Sequence, residues 1–85
     1  MQIPSAALSF HYDRANDVLY ISSGQSQPSY CDEILPGVFL RKDLYTDVAT
    51  GVTILYPRDQ LAKGIVNWSR MPFGIRESDI RGHIS

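Results

Sequence analysis

Cysteine is nearly missing from this chain: Cys31 is the only one in 85 residues. A lone thiol closes no internal disulfide, which excludes a small secreted scaffold stapled by bridges. Charge of one sign is missing too, since eight Lys plus Arg stand against nine Asp plus Glu for a net charge of -1. Duplex nucleic acid is held by a clustered basic surface, so no nucleic-acid partner is expected. Arg70, Arg76 and Arg81 enrich the C-terminal stretch, but Glu77 and Asp79 dilute them. No apolar run approaches the roughly 20 residues of a membrane helix, so no membrane partner is expected. The opening MQIPSAALSF has no basic start and no long apolar core, so no secretory leader is expected. Asn67-Trp68-Ser69 matches a glycosylation acceptor, which has no meaning without secretion. The expectation is a soluble, cytoplasmic protein.

Chemical motifs are equally scarce. Neither GxxxxGK[ST] nor GxGxxG occurs. The two histidines, His11 and His83, lie far apart, whereas zinc ligands are closely spaced. So few histidines support no Ser-His-acid arrangement. Cys31 is followed by Asp32 and Glu33, whose charges oppose the thiolate that a nucleophile requires. Asp32 and Glu33 are neighbours in an expected strand, so they point to opposite faces and cannot share a substrate. The five tyrosines could stack bases on an open sheet, but that mode also needs a positive groove, which the composition does not supply. No catalytic residue, cofactor site or metal site is assigned.

What the chain does contain is strand pattern. The hydrophobic share of 44% and charged share of 20% are those of a globular domain. Leu8, Phe10 and Tyr12 alternate with Ser9 and His11. Val18 to Ile21 is apolar throughout, which predicts burial on both faces. Between them lies Asp13-Arg14-Ala15-Asn16-Asp17. Asp13 can accept from the backbone just after it, and Asn16 tolerates a left-handed conformation. Two aspartates could bind a cation, but the spacing is not that of a calcium loop and hairpin geometry is a sufficient reason for the residues. The stretch from Ser22 to Ser29 is a polar loop, Tyr30 to Ile34 an edge strand, Pro36-Gly37 a turn and Val38 to Arg41 a strand. A connection through Tyr45-Thr46-Asp47 leads to the longest alternation, Val48 to Tyr56, in which Gly51 marks a bulge or a close backbone approach. Arg58 to Lys63 predicts a short helix stopped by Gly64.

The resulting fold class is mainly β, a β-rich α+β domain. It has a small antiparallel sheet of about five strands, a short helix and an irregular C-terminal tail. Residues 1–85 form one domain, with the sheet core over 8–56 and the helix and extension over 57–85. The tail has no clear period, yet it carries Trp68, Met71, Phe73, Ile75, Ile80 and Ile84. Those apolar residues must cover something, either their own sheet or a neighbour's. Trp68, Met71 and Phe73, with Arg70 beside them, are of the types enriched in interfaces and are the candidate interaction residues.

Tyr12-Asp13-Arg14-Ala15-Asn16-Asp17-Val18-Leu19-Tyr20-Ile21 resembles the opening hairpin of a group of short prokaryotic proteins, domain-of-unknown-function family 2283. Pro36 to Arg41 and Gly51 to Leu55 resemble its later strands. The second turn departs from the family's aspartate-with-small-residue pattern, and the tail after Tyr56 runs past the family's usual end. The resemblance implies a small β-rich fold and supplies no activity. Some relatives sit beside toxin-like proteins, which adds a small protein partner to the expectations. The favoured reading is a non-enzymatic protein-interaction module that forms a homo-oligomer. The alternatives are an antitoxin-like partner of a small toxin, and an enzyme or small-ligand binder with a pocket between subunits.

Overall fold

The computed structural model describes residues 8–23, 28–64 and 66–84. The expected polar loop falls partly on Gly24 to Gln27, and the expected absence of a leader falls on the segment opening at Met1; both lie outside the described residues. Five strands form one sheet: β1 (Leu8–Asp13), β2 (Val18–Ser23), β3 (Ser29–Leu35), β4 (Val38–Asp43) and β5 (Ala49–Leu55). Their order is β1-β2-β5-β4-β3, and every neighbouring pair is antiparallel. The longest alternating run thus becomes the central strand, and the charge-bearing β3 lies at an edge, where a solvated strand can carry Asp32 and Glu33.

The turns follow from short polar side chains. Asp13 accepts from the Asn16 backbone N–H at 3.3 Å and from Asn16 Nδ2 at 2.8 Å. These bonds hold the Asp13 carboxyl below its usual range. The left-handed residue is Asp17 (φ 53), not Asn16. Asn16 is held by its side-chain bond to Asp13, and the reversal closes one residue later. The β4–β5 turn repeats the device. Asp43 accepts from the N–H groups of Tyr45 (2.8 Å) and Thr46 (3.0 Å), and Asp47 takes the left-handed position (φ 61) in place of a glycine. At Gly37 the left-handed backbone (φ 72) strains any side chain, and a Cβ there would also push Gln60 Nε2 aside. Gln60 is the one buried polar side chain among the described residues, and its Nε2 donates to the carbonyls of Pro36 and Leu55. Two backbone acceptors at the end of the sheet are thereby satisfied.

After β5 the chain turns at Tyr56, left-handed at φ 53, into α1 (Pro57–Lys63). Pro57 stands at the start, where a missing N–H costs nothing, and Gly64 ends the helix in a left-handed cap (φ 65). Two single 3-10 turns, Trp68–Arg70 and Pro72–Gly74, lead to α2 (Glu77–Ile84). This last helix gives the tail more regular structure than its sequence pattern suggested. Asp79 accepts from the Arg76 N–H at 2.9 Å, capping the first turn. Ile80 and Ile84, one turn apart, point into the core.

The tail covers its own sheet. Leu19, Ile21, Val38, Val52 and Ile54 project from one face of the strands and pack with Val66, Trp68, Met71, Ile75, Ile80 and Ile84 in one buried cluster. At the β1 edge, the His83 ring stacks on Phe10 with centroids 3.9 Å apart. The radius of gyration is 12.2 Å, close to the roughly 12 Å of a closed domain this long, so the tail is no outstretched arm.

Candidate interaction surface

With one face of the sheet sealed, the other carries the unpartnered side chains. Residues two apart on a strand share a face. The cross-strand register therefore aligns His11, Tyr20, Thr53, Phe39 and Glu33 in one row across all five strands. Val18 and Leu55 pair beside this row on one side, and Ser22, Gly51 and Arg41 align on the other. Nothing in the described chain covers the row. Tyr20 is 41% exposed and His11 is exposed; Thr53 and Phe39 are half-buried. The expectation that Val18 to Ile21 is buried on both faces is thus corrected. Leu19 and Ile21 are sealed by the tail, whereas among the described residues no element crosses over Val18 and Tyr20, and Tyr20 is 41% exposed.

The row ends in a polar side chain at each edge of the sheet. His11 stands on edge strand β1, its ring 6.2 Å from that of Tyr20. Glu33 stands on edge strand β3, where its carboxylate accepts from the Gly37 N–H at 3.1 Å. The middle of the row, Tyr20-Thr53-Phe39, is aromatic and uncharged.

The residues singled out in the tail fare differently. Trp68 is 6% exposed and Met71 is 8% exposed, so both belong to the core of their own chain. Their remaining exposed edges, with Val66, Ile75 and Arg76, line a cleft of about 660 Å3 on the outer side of the tail. Phe73, at φ 62, is half-buried against the core, and Arg70 is exposed. The four side chains do not form one outward patch. Cys31 is exposed and lies opposite Arg41 in the ladder. Among the described residues, no three His, Cys, Asp or Glu side chains come together as metal ligands do, and no helix is long and apolar enough to cross a membrane.

On the covered side, near the uncovered end of β3, the Tyr30 hydroxyl donates to Asp47 at 2.5 Å. The hydrogen bond to that carboxylate, assisted by desolvation, pushes the phenol up to about 12. A phenol raised above its unfolded value favours the neutral form in the fold. The bond therefore supports the strand end below pH of about 10 and loses that support as pH rises toward about 12. In an ultraviolet titration of phenolate, Tyr30→Phe should remove the latest step. A wild-type protein whose tyrosines all ionise near the ordinary value of about 10 would refute the bond.

No family model, no curated protein and no solved structure matches the chain. The functional reading therefore rests on the molecule's own geometry.

Proposed function

We propose that the chain is a non-enzymatic, cytoplasmic, self-associating interaction module, and that its uncovered sheet face packs on the same face of a second copy. The observation that carries this is the row His11-Tyr20-Thr53-Phe39-Glu33, which is complementary to itself. A two-fold axis running along β5, the middle strand, lays β1 of one copy over β3 of the other. His11 then meets the partner copy's glutamate at the far end of the row. Tyr20 faces the other copy's phenylalanine, and the two central threonines meet on the axis. Each aromatic pair adds about 0.5–1.5 kcal/mol beyond its area. Aligned packing of two sheets is an ordinary sandwich geometry, and a two-fold contact requires only one self-complementary patch.

Size is consistent with this. Five strands about 4.8 Å apart and about 20 Å long give a projected face of roughly 480 Å2. The accessible area of such a ridged face exceeds its projection, and a small to standard interface takes about 600–800 Å2 per partner. The likeness of Tyr12 to Ile21 to the hairpin of family 2283 belongs to the same proposal and brings no activity with it.

The test is the mass in solution. At micromolar concentration, light scattering should give twice the 9.6 kDa of the single chain. Tyr20→Lys buries an unpaired charge in the contact and should weaken association more than about a hundredfold, leaving a folded monomer. A wild-type protein that stays monomeric, or a lysine variant that associates as before, would overturn the reading.

A further inference from the structure

A second feature lies away from the open sheet face, in the cleft of about 660 Å3 on the outer side of the tail. Val66, Trp68, Met71 and Ile75 form its apolar wall, and Asn67, Arg76 and Glu77 line it beside them. The volume is that of small-molecule sites, about 300–1,000 Å3. The polar groups of the cleft are unevenly satisfied. Trp68 is 6% exposed, yet among the described residues its indole N–H donates to no acceptor. A buried indole ordinarily finds one. No side-chain nitrogen or oxygen among the described residues is both buried and without a partner, so this N–H opens to the surface rather than into the core. Asn67 uses its Oδ1 to accept from the Ser69 N–H at 3.2 Å and the Ser69 hydroxyl at 2.6 Å, which leaves its amide NH2 without a partner among the described residues. Glu77 is ion-paired with Arg81 at 2.9 Å. Asp79 turns to the Arg76 backbone N–H at 2.9 Å, and the Arg76 guanidinium makes no hydrogen bond or ion pair among the described residues. Three residues that line one apolar cleft thus hold free donors, and one of them carries a charge.

We propose that this cleft binds a small carboxylate with an apolar body. Arg76 holds the carboxylate, the Trp68 N–H and the Asn67 amide supply further donors, and the body lies on Val66, Met71 and Ile75. Donors without acceptors call for a ligand rich in acceptors. A carboxylate offers two oxygens with lone pairs to spare, and it matches the planar fork of a guanidinium with two parallel hydrogen bonds. A cation finds no such counterpart, because the charge of Glu77 is already met by Arg81. An inorganic anion would use the donors but leave the apolar wall wet, so the ligand carries a ring or a short chain behind its carboxylate. The inference is independent of self-association, because these residues lie on the covered side of the sheet and the readout is ligand binding rather than mass.

The probe is hydrocinnamate, titrated at constant ionic strength. Binding is followed by the emission of Trp68, the chain's one tryptophan, and by calorimetry. Beside it stand hydrocinnamyl alcohol, the same body without the charge, and acetate, the head without the body. Hydrocinnamate should shift the emission to saturation. The alcohol should bind about tenfold more weakly, and acetate should give no saturable shift. Arg76→Gln should weaken hydrocinnamate about tenfold and leave the alcohol unchanged. Arg70→Gln, which removes the same charge from an exposed residue outside the lining of the cleft, should leave both unchanged. Circular dichroism of the free variants checks that both remain folded. Equal binding of the alcohol and hydrocinnamate by the wild-type protein would overturn the carboxylate assignment. No saturable shift with the wild-type protein, or equal losses in the two arginine variants, would overturn the site.

Discussion

Trp68→Ala is expected to lower the stability of the domain by about 3–5 kcal/mol, the usual cost of removing a buried large aromatic side chain. A domain of this length is stable by about 4–13 kcal/mol, so the variant sits near the threshold of folding. Trp68 stands in the first 3-10 turn, between the end of α1 and the approach to α2, and is 6% exposed. Its indole joins Val66, Met71 and Ile75 to the sheet residues in one cluster. Removing it opens a void that neighbours cannot close without moving the tail. Since it is the chain's one tryptophan, unfolding has to be followed by circular dichroism. The melting temperature should fall by roughly 12–40 °C, at about 4–8 °C per kcal/mol for a domain of this size. The variant that remains folded should self-associate as the wild type does, because Trp68 is on the covered side. A loss below about 1 kcal/mol would show that the tail does not seal this core. Loss of association with full stability would show that the indole serves a neighbouring copy instead.

The tail also shows where the sequence was and was not readable. Strands were legible because alternation is a local signal: Leu8, Phe10 and Tyr12 share a face whatever they pack against. Gly51 was legible as punctuation, and the structure shows both a register shift beside it and a close backbone approach. Helix α1 was legible from Pro57 and Gly64. Helix α2 was not, since Ser78 and Gly82 weaken its propensity and only Ile80 and Ile84 mark its inner face. Its acidic first turn and basic last turn were the available signal. The helix is held by packing, Ile80 being fully buried. Self-covering by the tail was beyond a local pattern, because the same aromatic residues suit a core and an interface. The donor-lined cleft was further out of reach. A linear reading grouped Arg70, Arg76 and Arg81, whereas the fold sets Arg76 in the cleft, pairs Arg81 with Glu77 and leaves Arg70 outside. The unpartnered face was concealed by composition, since Val18 to Ile21 reads as two-sided burial and only the fold shows which side the chain itself covers.

Gly51→Ala should destabilise the domain by about 1–3 kcal/mol, toward the upper end of that range, although alanine has the better strand and helix propensity. Gly51 lies on central strand β5, opposite Ser22 of β2 and Arg41 of β4. A Cβ built there would stand 2.5 Å from the Ile21 carbonyl oxygen and 3.3 Å from Ser22 Cα. Both are backbone atoms, so no side-chain rotation relieves the contact and the β2–β5 pair has to separate. A bulge lies next door, where Arg41 pairs with Gly51 but Lys42 pairs with Ala49, leaving Thr50 unmatched. The Thr50 carbonyl accepts from Ser23 Oγ at 3.0 Å and its own hydroxyl donates to the Arg41 carbonyl at 3.4 Å, so the bulge is held from both neighbouring strands. The contrasting substitution is Gly82→Ala in α2, where a Cβ would meet nothing within 4 Å. There the change should stabilise the protein by about 0.5–1 kcal/mol, the ordinary gain of alanine over glycine inside a helix. Urea midpoints at matched slopes measure both. Opposite signs for one chemical change assign the effect at Gly51 to the strand contact. A Gly51→Ala variant as stable as the wild type would mean that β2 and β5 run farther apart than described, and the register of the row across the open face would have to be redrawn.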